Sequence, residues 1–382
     1  MKVLLLSLDL FAHGGIQRYS RYEIQALRAF LDSEDVRLCS QLPPGSDQFD
    51  VPLAADVVGE GRSRAAKVRF ALATWRFARE QRPDLVICDH VNLSPLAYLY
   101  KLLTGTPYIL NVYAIEVWGR LRIHHRLGLT RADQVVSDCE FTKKYLEQRY
   151  PALARKLSVI PDCVDCERFT PAAAPGDLRA RLGLGDGPIL LTVSRLPTGR
   201  SKGHDHVMRA VADLRSEGVR LTYVIAGDGP DRPRLASLAK DLGIADAVVF
   251  LGRVSEELLP DLYRVCDVFI LVSSFQMHGK QPQGEGVPLV VLEAQASGKP
   301  VITSRLDGSA EAIVDGETGL LVDPSDSPEI AAALRRLFGD SDARLCMGQA
   351  ARTLAEQKFS FDVFREAVRA TCVRLSTTAR RR

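Results

Sequence analysis

The sequence predicts an α/β protein built from two doubly wound domains. Short apolar runs alternate with longer amphipathic runs almost throughout the 382 residues. Many of the apolar runs are near-continuous, as in strands buried on both faces of a parallel sheet. Near the middle, residues 161–187 are rich in proline and glycine, and the chain length favours two domains over one.

In the first half the expected strands are Val3–Leu8, Val36–Cys39, Leu85–Cys88, Tyr108–Val112, Gln134–Ser137 and Leu157–Ile160. Amphipathic stretches between them predict helices at Gln17–Leu31, Arg64–Gln81, Ser94–Leu103 and Glu140–Tyr150. In the second half the strands are expected at Ile189–Val193, Leu221–Ala226, Val248–Phe250, Val268–Val272 and Val301–Thr303. The linker signal comes from Pro161, Pro171, Pro175, Gly176, Gly183, Gly185 and Gly187, which place a boundary near residue 168. The domains are then 1–168 and 169–360, with a last helix around Phe361–Leu375 and a polar, basic tail to Arg382 expected to fray. Sheets of this kind bind ligands at the carboxyl ends of their strands, and two of them joined in this way create a cleft.

Composition narrows the class. At 46% hydrophobic and 25% charged residues the chain is an ordinary globular protein, and a net charge of +3 is too small to imply nucleic-acid binding. Eight cysteines are too few and too scattered for a disulfide scaffold, which points to a reducing compartment. Cys163 and Cys166 form a C-x-x-C with no second pair or clustered histidine, and read as chance spacing. The apolar run after Met1 is stopped by Asp9, too early for a secretory segment, and no stretch approaches the ~20 apolar residues of a membrane span. A cytoplasmic protein, soluble or peripheral to a membrane, is expected.

The most informative segment runs from Gln283 to Ala294 and holds Glu285 and Glu293. Glu285 lies in a glycine-rich loop, and Glu293 about a turn and a half into an apolar segment read as a helix, with Pro288 suited to its first turn. Val287, Leu289, Val290, Leu292 and Ala296 are expected to pack that helix on the sheet. A helix N-terminus attracts anions, while carboxylates accept hydrogen bonds from hydroxyls. A ligand with phosphate in its middle and hydroxyls at both ends fits all three, and a nucleotide sugar is such a ligand. Arg195 and Lys202 flank the loop after strand Ile189–Val193, where an anion would sit, and Arg200 lies between them. Each feature alone has a plainer reading, as an exposed helical carboxylate or a solvated basic loop; a shared ligand site explains them together.

The loop Ala226-Gly227-Asp228-Gly229-Pro230 lets backbone approach a ligand but lacks the third glycine of a dinucleotide fingerprint, and no P-loop is present. In the first half, Gly14 and Gly15 stand just before a helix, either as a tight turn or as a ligand edge. A further loop after strand Tyr108–Val112 holds Tyr113 and Glu116.

Together these segments resemble the retaining glycosyltransferase family 4, whose members have the GT-B fold: two Rossmann-like doubly wound domains facing a central cleft. The resemblance spans nearly the whole chain. It is strongest in S-R-L from Ser194, K-G-H-D from Lys202, A-G-D-G-P, F-L-G-R-V from Phe250, the paired glutamates, and the run from Asp307 to Pro324. It implies a donor-binding second domain and an acceptor-side first domain, onto which the last helix, 361–382, packs back. It further implies that Arg195 and Lys202 bind the donor pyrophosphate and that Glu285 holds donor-sugar hydroxyls near the anomeric centre. Backbone N–H groups of Gly286, Val287, Pro288 and Leu289 (Pro288 having none to give) would border the sugar and distal phosphate. Glu293 would bind the ribose, the backbone around Arg253 and Val254 would read the base, and Gly14, Gly15 and Gly227 would border the donor. The chain departs from the family at Tyr113, where a histidine is frequent, and at Asp162-Cys163 in the linker. A tyrosine, with a pKa of about 10, is a poor proton acceptor at neutral pH.

The reading is a metal-independent, retaining hexosyltransferase with no cofactor, suited to polysaccharide biosynthesis. Its donor would be UDP- or GDP-linked, and its acceptor a glycan, a lipid-linked sugar or a small molecule. The formal D-x-D at Asp340-Ser341-Asp342 reads as a helix cap. Residues 62–82 carry Arg62, Arg64, Lys67, Arg69, Arg76, Arg79 and Arg82 among Val68, Leu72 and Trp75, either a packed helix with a basic face or one that lies on an anionic membrane. Arg120, Arg122, His124, His125 and Arg126 add positive charge nearby. The rivals are a nucleotide-sugar epimerase of the same fold and a non-catalytic sugar-nucleotide-binding subunit.

Overall fold

The computed structural model describes residues 1–45, 53–199, 202–278 and 281–380. The chain divides into two compact units, Met1–Cys163 with Phe361–Arg382, and Val164–Ser360. The break lies at Cys163–Val164, against about residue 168 from linker composition. The reason is local: Val164 N–H already donates to the Phe359 carbonyl at 2.8 Å and bridges to Ser360, so the chain joins the second unit as soon as the last strand of the first ends.

In the first unit, β1 (Val3–Ser7), β2 (Val36–Ser40), β3 (Val57–Val58), β4 (Leu85–Cys88), β5 (Tyr108–Val112), β6 (Gln134–Ser137) and β7 (Leu157–Val159) form one parallel sheet in the order β3-β2-β1-β4-β5-β6-β7. The helices of this half are α1 (Gly15–Arg28), α2 (Arg64–Gln81), α3 (Ser94–Thr104), α4 (Ala114–Val117), α5 (Ile123–Arg131) and α6 (Glu140–Arg149). Every residue of β1, β4, β5 and β6 is buried, as expected of strands covered on both faces.

The second unit opens with α7 (Leu178–Arg181) and continues through β8 (Ile189–Val193), α8 (His204–Ser216), β9 (Thr222–Ala226), α9 (Arg232–Asp241), β10 (Val248–Gly252), α10 (Leu259–Val265) and β11 (Val268–Leu271). A hairpin of β12 (Gln276–His278) and β13 (Gln281–Gln283) follows, then α11 (Leu289–Ala296), β14 (Val301–Ser304), β15 (Gly319–Val322), α12 (Ser327–Gly339) and α13 (Ser341–Lys358). Its parallel sheet runs β10-β9-β8-β11-β14-β15. The short β3, β15 and the hairpin are absent from the sequence expectation. β15 was hidden because a turn-rich run, Asp315-Gly-Glu-Thr318, leads straight into it. The last helix, α14 (Phe361–Arg380), packs on α1, with Phe364 edge-on to Tyr19 at 5.1 Å and Val368 and Cys372 buried beneath it. It is helical through most of the tail expected to fray; residues 381–382 lie outside the described residues.

Strand order positions the ligand edges. It reverses between β1 and β4 in the first sheet and between β8 and β11 in the second. At such switch points the loops after the strands diverge to opposite faces and leave a crevice at the carboxyl ends. Asp340 Oδ1 accepts from the N–H groups of Asp342 and Ala343 at 3.1 and 2.9 Å, so the D-x-D caps α13.

Candidate functional site

In the second unit, the predicted residues lie on loops that follow β8, β9, β10 and β11 and, for Leu289 and Glu293, on α11. Arg195 follows β8, is exposed, and makes no ion pair with a described residue. Beneath it lies a buried polar chain: Ser194 Oγ is 2.9 Å from His204 Nε2, His204 Nδ1 is 2.9 Å from the Tyr223 hydroxyl, and that hydroxyl is 3.0 Å from Thr192 Oγ1. Burial, with the Lys202 charge adding to it, pulls the His204 imidazole down to about 4, so it is neutral at pH 7 and serves as an internal strut. Between Lys202 and His204, Gly203 has φ +70°, and a Cβ there would fall 2.2 Å from the Val272 carbonyl oxygen. Only glycine lets this loop lie against the end of β11.

That approach sets Lys202 against Glu285. Their side chains form an ion pair, each about four-fifths buried, and Ser273 Oγ donates to the same Glu285 oxygen at 3.3 Å. Gly286, Val287 and Pro288 are buried, Leu289 is half-buried, and α11 begins at Leu289 with Pro288 as its N-cap, one position earlier than a first-turn proline. α11 is buried on nearly all sides: Val291 to Ala296 are all buried, and Leu289 and Val290 are partly exposed. Glu293 is therefore far from an exposed helical acid. It is 3% exposed, and its Oε2 accepts from the Tyr263 hydroxyl at 2.8 Å. Gly227 closes β9 with its N–H on the Gly252 carbonyl at 2.7 Å; next to Gly252, Arg253 is exposed and Val254 half-buried. Arg200 lies outside the described residues.

The sequence reading missed Ser273, Tyr263 and Asp307. Asp307 Oδ2 accepts the Glu285 N–H at 3.0 Å, and the Gly308 N–H donates to the Glu285 carbonyl at 3.0 Å. No local pattern could have found these partners, because they follow other strands.

The first unit is arranged differently. Gly14 is the extended N-cap of α1, Gly15 its first residue, and neither has a positive φ. A Cβ on Gly15 would meet nothing, and one on Gly14 would meet only the flexible end of Gln17, so no turn requires glycine there. Tyr113 directly follows β5 at the carboxyl edge of the sheet, as the sequence suggested. Its ring turns into the core, edge-on to Tyr19 at 5.2 Å, because the positions around it in β5 and α14 are apolar. Its hydroxyl is buried with no hydrogen-bond partner among the described residues, and burial holds it well above the usual phenol range. Glu116 accepts the Tyr113 N–H at 3.0 Å and lies 2.9 Å from His90 Nδ1 after β4. Burial lowers the His90 pKa, but the Glu116 carboxylate outweighs it and leaves the imidazole above its usual value. Deeper in, Glu23 accepts from Asn111 Nδ2 at 2.8 Å and burial pushes it up to about 8.

Cys163 is buried, Cys166 half-buried, and both are free thiols. Among the described residues no group of three or more His, Cys, Asp or Glu is arranged to hold a metal ion.

The chain matches known proteins along both units. Sucrose-phosphate synthase from Thermosynechococcus elongatus superposes with a TM-score of 0.80 at 21% identity, over 99% of this chain and 100% of that one. Anabaena HepE, solved in complex with UDP-glucose, gives 0.78 at 18%, over 98% and 100%. At those identities the likeness shows the fold, and the fold is that of the GT-B glycosyltransferases. Residues 13–168 match the model for Glycosyltransferase Family 4, and residues 177–354 that for Glycosyl transferases group 1. A GDP-mannose-dependent alpha-(1-6)-phosphatidylinositol monomannoside mannosyltransferase of Mycobacterium tuberculosis is 32% identical over 277 residues, 70% of this chain and 71% of that protein. The protein of the same name from Mycolicibacterium smegmatis is 34% identical over 239 residues, 62% of this chain and 61% of its own, so less than two thirds of that relative is spanned. The chain belongs to glycosyltransferase family 4. It is a glycosyltransferase that acts on a sugar donor.

Proposed function

We propose that this glycosyltransferase moves a hexose-type sugar from a UDP- or GDP-linked donor, with retention at the anomeric carbon and without a metal ion. The observation that carries the reading is the pair at the switch point of the second sheet: Lys202 after β8 against Glu285 ahead of the N-terminus of α11, with Arg195 exposed on the same β8 loop. The departing nucleoside diphosphate gains negative charge as the glycosidic bond breaks, and donors preorganised around it lower the barrier. Arg195 offers a planar fork to the pyrophosphate, and Lys202 a point charge. A pyrophosphate competes with Glu285 for Lys202, and Glu285 then turns to the hydroxyls of the transferred sugar. Free N–H groups at the start of α11 face the distal phosphate and sugar, and Glu293, oriented by Tyr263, takes the ribose hydroxyls. Gly227 and the backbone at Arg253 and Val254 border the base. Tyr113 is left with no proton-transfer role, and a leaving phosphate oxygen takes the acceptor proton.

Three similar proteins support a nucleotide sugar as donor: the two mycobacterial proteins are named for GDP-mannose, and HepE was solved with UDP-glucose. The same mycobacterial names favour a lipid-linked acceptor over a soluble glycan or small molecule. So does α2, whose buried stripe is Ala66, Phe70, Thr74 and Ala78, while Val68 and Leu72 are 59% and 53% exposed among exposed Arg64, Lys67, Arg69, Arg76 and Arg79. Such a face suits an anionic membrane surface. No helix among the described residues is long and apolar enough to cross a membrane.

The donor is tested by thermal shift against UDP, GDP and their common sugars. Stabilisation by one nucleotide family with transfer to an added acceptor upholds the reading. Turnover of donor without acceptor, leaving an isomerised sugar, replaces it with the epimerase, and nucleotide binding without donor cleavage with the non-catalytic subunit. Transfer that survives EDTA is expected. Membrane docking fails if co-sedimentation with liposomes depends on neither anionic lipid nor the α2 arginines.

A further inference from the structure

Asp307 begins the turn after β14 and is 2% exposed. Its side chain does two things at once. Oδ1 accepts the Ser309 N–H at 3.1 Å, which caps the short 3-10 turn Gly308–Ala312. Oδ2 reaches out of that turn to the Glu285 N–H, 22 residues earlier in sequence, at 3.0 Å. The next residue completes the grip, since the Gly308 N–H donates to the carbonyl of Glu285 itself. Both polar groups of the Glu285 peptide are thus held by consecutive residues of one turn. The fit is close: a Cβ on Gly308 would fall 2.8 to 2.9 Å from backbone atoms of Gly286.

We propose that Asp307 is a positioning residue for Glu285. Its carboxylate fixes the Glu285 peptide, and so fixes the direction in which the Glu285 carboxylate is presented to the donor sugar. The alternative, a turn cap that merely stabilises the fold, explains the bond to Ser309 but leaves the one to Glu285 without a purpose. The proposal rests on the reading of Glu285 as the donor-sugar residue.

The ionised form of Asp307 is the one that accepts both N–H groups well. Burial, and then the neighbouring Glu285 charge, push Asp307 up to about 7. Glu311 lies on the turn that Asp307 caps. Glu285 faces Asp307 from the loop before α11, with its charge offset by Lys202 from the loop before α8. On α11 Glu293 is turned to Tyr263, and on the turn's own approach Arg305 is turned to Glu329. As pH falls through about 7, Asp307 takes a proton, the clamp on Glu285 loosens, and turnover drops.

The test uses the full chain with Asp307→Asn, Asp307→Ala and Glu285→Gln, each followed for donor turnover across pH and for nucleoside diphosphate affinity by calorimetry. Asp307→Asn keeps the shape but neither the charge nor the second acceptor. It is expected to lower turnover by between about ten- and a hundredfold and to flatten the acid limb near pH 7, with nucleoside diphosphate affinity within about threefold of wild type. A residue that only stabilised the fold would lower melting temperature without reshaping the pH profile. Wild-type turnover and an unchanged acid limb in Asp307→Asn, while Glu285→Gln is dead, overturns the proposal and leaves the donor-site reading intact. Wild-type turnover in Glu285→Gln overturns the reading beneath it. If the Asp307 variants do not fold, the wild-type profile decides: turnover flat through pH 7 at saturating donor removes the proposal.

Discussion

The carboxyl edges of the two sheets treat their polar groups in opposite ways. In the second unit Lys202, Ser273, Glu285 and Asp307 come from four different loops and satisfy one another at a half-open edge. In the first unit the corresponding edge sends its polar groups inward. Among the described residues neither the Tyr113 hydroxyl, in the core, nor Asn111 Oδ1 has a partner, and Glu23 is buried deeply enough to stay protonated to about pH 8. The same doubly wound architecture thus yields one edge where charged and hydroxyl side chains from several loops pair with one another and another where Tyr113 and Asn111 are buried in the core. The difference teaches that an acceptor-side role cannot be carried from one family member to another by strand position alone: direction of the side chain decides it.

The sharpest way to break this contrast is Glu285→Ala. We expect transfer to fall by on the order of 10³ or more, with nucleoside diphosphate still bound, as when a group acting in the transition state is removed. Unchanged turnover would leave the second-unit edge without its central member. Next in size are Arg195→Ala and Lys202→Ala. Each removes a charge-assisted contact worth about 1.5–3 kcal/mol, so nucleoside diphosphate affinity measured by calorimetry should fall about ten- to a hundredfold. Affinity within error of wild type in both would move the anion site elsewhere.

A smaller effect separates the first unit. Glu23 stays protonated in the folded chain to about pH 8 but ionises near 4.5 when unfolded. Its stabilising contribution is therefore complete below pH 4.5 and is lost as pH rises towards 8, at a cost on the order of a few kcal/mol. Glu23→Gln should raise the melting temperature at pH 8 and reduce its slope between pH 5 and 8; a variant with the wild-type slope would show that Glu23 ionises freely. The smallest change is Tyr113→Phe, which removes a buried hydroxyl with no hydrogen-bond partner among the described residues. Stability should rise by about 1 kcal/mol, with transfer within about twofold of wild type. A large loss of transfer would restore Tyr113 to the chemistry and dissolve the contrast.

Much of this was legible before any coordinates. The strands β4, β5, β6 and β8 coincide with runs of apolar residues, because a strand buried on both faces has no room for polar alternation. Glu285, Arg195 and Lys202 stood out because glycine loops and charged residues directly follow apolar strands. What the sequence hid was partnership and direction. Lys202 meets Glu285 across 83 positions, and Tyr263 meets Glu293 across 30, and no periodicity relates residues that far apart. Asp307 reads as one acid in a turn until the sheet sets β14 beside β11. Tyr113 reads as a loop residue until α14 closes over α1 and makes its position a core position.

The sequence by itself determined the fold class, the location of most core strands and the residue types that follow them, because burial on two faces and the conformational demands of loops act locally on the chain. The tertiary structure decided which of those residues touch, since strand order, not sequence order, sets which loops are neighbours. It set the Asp307 carboxylate against the Glu285 N–H, and it turned the Tyr113 ring from the end of β5 into the core.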